Sequence, residues 1–108
     1  MLQANEIQQT FSHIQQTIVQ AEQACNASAD TPQDLKACIS KMARDAKMAG
    51  DVIKSNDELR IIQCVDDLED MGDEARRLSR SDSHISPQVE SAVTKVHAEL
   101  SALKHKLH

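Results

Sequence analysis

The sequence predicts an all-α protein, an antiparallel up-down-up-down four-helix bundle, on three observations. Apolar residues recur in alternating three- and four-residue steps along four separate runs, and capping residues punctuate the gaps. No segment alternates with the period of two that a half-buried strand requires. The expected helices cover about residues 4–27, 32–54, 56–80 and 87–107 of a single helical-bundle domain spanning 1–108.

The first run is Ile7, Phe11, Ile14, Ile18, Ala21 and Cys25, the inward seam of a helix whose apolar positions repeat every seven residues. Its next seam position is Ser28, and the small, mostly polar stretch from Asn26 to Asp30 breaks it. Thr31 and Pro32 then supply an N-cap and a proline at the first helical position, where the missing N–H costs nothing. The second run follows as Leu35, Ile39, Met42, Ala46, Ala49 and Ile53. Ser55 with Glu58 reads as a capping box for the third helix, whose seam is expected at Ile61, Cys64, Leu68, Met71, Ala75 and Leu78. Ser86 and Pro87 repeat the cap-plus-proline signal, with Ile85 placed as an apolar staple. The fourth run is Val89, Val93, Val96, Leu100, Leu103 and Leu107. Ser79 to His84 is the most hydrophilic connection.

The boundary at Lys54, Ser55 and Asn56 carries neither Gly nor Pro. A continuous helix from Pro32 to Ser81 would be about 75 Å long at 1.5 Å per residue, and it would give the alternative architecture, a long-helix hairpin forming an intertwined dimer bundle. The seam speaks for a turn. Continued from Ala49 and Ile53 it would put Asn56 and Arg60 inward, whereas the next run is built on Ile61.

With 108 residues and Phe11 as the only aromatic, the core must be built from Leu, Ile, Val, Met and Ala. The lack of Trp and Tyr also removes the stacking platforms of nucleotide and single-strand binders. Nothing approaches the roughly 20 apolar residues of a membrane span, and Met1 to Thr10 lacks the basic start and apolar middle of a secretion signal. The expectation is a cytoplasmic protein with no membrane association. Cys25, Cys38 and Cys64 form no C-x-x-C and are expected as reduced thiols, a Cys25–Cys38 disulfide being the lesser alternative.

The net charge of -5 is unevenly placed. Asp66, Asp67, Glu69, Asp70, Asp73 and Glu74 crowd the middle of the third helix, and Arg76, Arg77 and Arg80 close it. That order suits the helix dipole and allows an Asp73–Arg77 pair, so it reads first as a solvated face and second as an acidic recognition surface. Nucleic acid is excluded as a partner because the basic residues form no stripe. No metal or other cofactor is expected. A calcium loop begun at Asp67 puts Met71 and Leu78 at ligand positions, a di-iron site would need Glu-x-x-His pairs, and His97, His105 and His108 read as boundary or surface residues. No positioned acid, base, nucleophile or glycine-rich loop suggests an enzyme. Gly50 and Gly72 lie inside helices, which points to close helix crossings.

One departure from the seams concerns partners. Met48, Leu59 and Ile62 fall at positions that should face solvent, with Val52 and Val65 beside them, all near the second connection. The sequence thus leads to a non-catalytic protein-interaction or adaptor module, with Met48, Val52, Leu59, Ile62 and Val65 as a patch for a protein partner or for self-association as a homodimer. A ligand- or metal-binding bundle is the alternative.

Overall fold

The computed structural model describes residues 4–81 and 85–108. Four helices occupy nearly all of them: α1 (Ala4–Ala27), α2 (Gln33–Lys54), α3 (Glu58–Ser81) and α4 (Pro87–Leu107). No strand occurs among the described residues, and no helix is long and apolar enough to cross a membrane. Residues 1–3, part of the segment tested for a secretion signal, and 82–84, half of the hydrophilic connection, lie outside the described residues.

The helices form a ring. α1 packs on α2, α2 on α3, α3 on α4 and α4 on α1, and among the described residues neither diagonal pair of helix backbones approaches as closely. Side-chain pairs between α3 and α4 run in opposite residue order, Asp66 with His108, Glu69 with Lys104 and Asp73 with His97, as antiparallel helices require. The core lies along the axis, with all the expected inward residues of α1, α2 and α4 buried in it.

The third helix departs from expectation. Its buried positions are Ile61, Val65, Leu68, Gly72, Ala75 and Ser79, with Glu69 beside them, while Cys64, Met71 and Leu78 are half-buried. Both series keep Ile61, Leu68 and Ala75 and both satisfy three-four spacing, so periodicity does not separate them and hydrophobicity favours the flank with the larger apolar residues. The helix instead turns its small residues inward. At Gly72 an added Cβ would lie 3.5 Å from Leu100 Cδ1 and 3.7 Å from His97 Cα, so α4 crosses closely there, as the glycine suggested. Gly50 meets only the Gln15 side chain, at 3.4 Å.

Two caps also move. Pro32, not Thr31, occupies the N-cap of α2, its carbonyl accepting from Lys36 N at 3.0 Å with no side-chain cap. Asp57 takes the start of α3, where Oδ1 accepts from Arg60 N at 3.3 Å; Ser55 ends α2 and donates its hydroxyl to Val52 O at 2.6 Å. The turn between α2 and α3 is real, and Asn56 makes it possible at φ 61°. Asparagine tolerates this left-handed conformation better than any residue but glycine. At α4 the expected signal holds, with Ser86 accepting from Val89 N and Ile85 packed on the core.

Displaced from the cap, Thr31 is 8% exposed and its Oγ1 has no hydrogen-bond partner among the described residues. A buried hydroxyl without a partner keeps its desolvation cost and returns nothing. Thr31→Val keeps the branched shape and is expected to leave stability unchanged or raise it by up to about 1 kcal/mol. A thermal melt checks this, and a loss of more than about 1 kcal/mol would mean that the hydroxyl is bonded.

Candidate functional site: a groove on one flank of α3 and a polar seam on the other

Because α3 presents Ile61, Val65, Leu68, Gly72 and Ala75 to the core, its two flanks face different neighbours. Cys64, Asp67 and Met71 fall on the side of α2, as Cys38 Sγ donating to Met71 O at 3.4 Å demonstrates. Leu59, Ile62, Asp66, Glu69 and Asp73 recur at three and four residues on the side of α4. Both residue sets singled out in the sequence are divided by this rotation.

The apolar patch separates into three parts. Val65 is fully buried and leaves the patch for the core, a correction that follows from the phase of α3. Met48, 72% exposed, and half-buried Val52 overhang a groove between α2 and α3 of about 450 Å³. Ala49, Cys64, Leu68 and Met71 complete its apolar lining, and Asp45, Asp51, Asp67 and Arg60 supply its charges. Leu59, 80% exposed, and Ile62, partly buried against the core, stand near the same end of the bundle but do not line that groove.

The acidic face divides likewise. Asp66 meets His108 Nε2 at 3.0 Å, Glu69 lies 3.6 Å from Lys104 Nζ, and Asp73 contacts His97, so three of the six carboxylates tie α3 to α4. Glu69, expected on the surface, is only 9% exposed. Of the other three, Asp67 borders the groove, Asp70 is exposed, and Glu74 takes Arg77, 3.0 Å from Nε, in place of the expected Asp73–Arg77 pair. A similar link, His13 Nε2 to Glu99 Oε2 at 3.1 Å, joins α1 to α4. The signal that could have found the seam is the i, i+3, i+7 spacing of Asp66, Glu69 and Asp73 on one face of α3, with His97, Lys104 and His108 at i, i+7, i+11 on one face of α4.

All three cysteines are free thiols, Cys25 buried and Cys38 and Cys64 half-buried. Burial pushes each above its ordinary value of 9.0, and Glu74 near Cys38 and Asp67 near Cys64 push the same way. A thiol whose proton is held more tightly in the folded state costs stability only where the unfolded chain can ionise. The contribution is therefore flat through neutrality and falls as pH rises past about 9. We expect unfolding free energies at pH 7.5 and 10 to differ more for this protein than for its Cys→Ala triple variant; equal differences would exclude the thiols as the source.

Fold and flanks together define an all-α four-helix bundle with a groove between α2 and α3 and a polar seam between α3 and α4. Comparison with protein-family models, with curated proteins and with solved structures returns no match.

Proposed function

We propose that this protein is a non-catalytic helical interaction module whose α2–α3 groove seats an amphipathic helix of a partner protein with basic flanks. The observation that carries this reading is Met48, a large apolar side chain held 72% exposed at the lip of a groove lined by both apolar and charged side chains. Two antiparallel helices leave a channel suited to a further helix, in the manner of helix-in-groove recognition. Met48 and Met71 give it side chains that adapt to different anchors. Three carboxylates against one guanidinium make the rim acidic, which favours lysine and arginine beside the apolar anchors. A second copy on a two-fold axis would bring like rims together, so the charge favours a different partner over the homodimer that the sequence suggested.

A direct test titrates isotopically labelled protein with an amphipathic peptide carrying leucine anchors and lysine flanks, beside a counterpart with glutamate flanks. The lysine peptide is expected to shift resonances of Val52, Cys64 and Met71, to weaken with salt and to lose at least about tenfold in affinity on Met48→Lys. Equal binding of both peptides, or no shifts at the groove, would overturn the reading. A dimeric mass by light scattering that Met48→Lys abolishes would replace it with self-association.

A further inference from the structure

The polar seam between α3 and α4 contains a cluster that a surface ion-pair reading does not exhaust. Glu69 and Asp73 are one helical turn apart on α3, and His97 reaches them from α4 beside the close crossing at Gly72. Each offers one ligand atom, and these three atoms lie within 4.8 Å of one another. A tetrahedral ion with bonds of about 2.0–2.2 Å needs its ligand atoms about 3.4 Å apart, a distance that side-chain rotation supplies. His97 Nε2 already contacts Asp73 Oδ1.

The second observation is Glu69 itself. At 9% exposure its Oε2 is shut off from solvent and accepts no hydrogen bond among the described residues. The nearest cation, Lys104 Nζ at 3.6 Å, stands beyond hydrogen-bond range on a side chain 37% exposed. A buried anionic oxygen without a donor is costly, and a bound cation would remove that cost directly. Lys104 lines an open hollow together with Asp66, Glu69, Ser101, His105 and His108, and its long, partly exposed side chain can turn outward to solvent and leave Glu69 to an incoming cation.

We propose that Glu69, Asp73 and His97 bind a divalent transition-metal ion of the Zn²⁺ kind, which bridges α3 and α4 with water in its remaining positions. One imidazole and two carboxylates suit Zn²⁺, Ni²⁺ or Co²⁺; Ca²⁺ requires more oxygen ligands and Mg²⁺ a near-octahedral oxygen set. The site lies on the flank of α3 opposite the groove, so the two proposals stand or fall separately.

The test is calorimetric titration of the full chain with Zn²⁺, with the absorption of bound Co²⁺ reporting ligand geometry. The expected result is one equivalent bound with a dissociation constant on the order of 10 µM or tighter, and a rise in melting temperature with added Zn²⁺. Glu69→Gln and His97→Gln should each weaken binding at least about tenfold. Lys104→Met should tighten it by removing the competing cation. The double variant His105→Gln, His108→Gln should leave it unchanged, which separates this site from adventitious binding at the last turn of α4. Circular dichroism verifies that each variant is helical; should Glu69→Gln fail to fold, the Lys104 and double-histidine variants still decide. No saturable binding up to about 1 mM, binding indifferent to His97→Gln, or binding lost with His105 and His108 would overturn the proposal.

Discussion

Replacing Phe11 by alanine is expected to lower the unfolding free energy by about 3–5 kcal/mol and the melting temperature by on the order of 20 °C. Phe11 is the only aromatic in the chain and is 1% exposed, among the largest side chains enclosed by the bundle. Apart from Met42 and Cys25 the remaining core is aliphatic and rich in small residues, including Ala21, Ala46, Ala49 and Ala75, and a closely packed interior fills such a space only in part. The loss combines the transfer energy of the ring with the cavity it leaves, against a total stability of about 5–15 kcal/mol for a domain of this kind. Phe11→Leu, which restores part of the volume, should recover more than half of it. A chemical denaturation series measures both, and an alanine variant within about 1 kcal/mol of the parent would mean that helix α1 is not held by this contact.

The second large effect tests the rotation of α3. Val65→Asp is expected to unfold the protein or cost several kcal/mol, because Val65 is 0% exposed and no cation lies among the core residues to receive the carboxylate. Leu59→Asp should change stability by no more than about 0.5 kcal/mol. Leu59 is 80% exposed and sits in the first turn of α3, where an acidic residue suits the helix dipole. Were Leu59 and Val65 members of one exposed patch, the two substitutions would behave alike. Circular dichroism at 25 °C with a thermal melt distinguishes these outcomes. The rotation would be refuted if Val65→Asp proved as harmless as Leu59→Asp.

These two residues also show how far the sequence could be read. The seams of α1, α2 and α4 were legible because in each of these helices one three-four series is apolar throughout and no second one competes with it. In α3 two series compete, Ile61 with Cys64 and Met71 or Ile61 with Val65 and Gly72, and hydrophobicity prefers the first. Packing prefers the second, since a glycine and a serine on the inner side let α4 approach. The candidate sites inherited the error. With α3 turned by part of a step, Val65 moves to the core, Met48 and Val52 face a groove without Leu59 and Ile62, and the acidic run becomes two flanks rather than one face.

Sequence by itself determined that four amphipathic helices form, where they begin and end to within two residues, and that their buried faces make a bundle, because periodicity and local capping chemistry act within a few residues along the chain. Only the tertiary structure decided which flank of α3 meets α2 and which meets α4. That choice depends on side-chain volume at a contact between helices distant in sequence, and it brought Glu69, Asp73 and His97 together. No spacing within one helix encodes the distance between residues 73 and 97; the close crossing at Gly72 does.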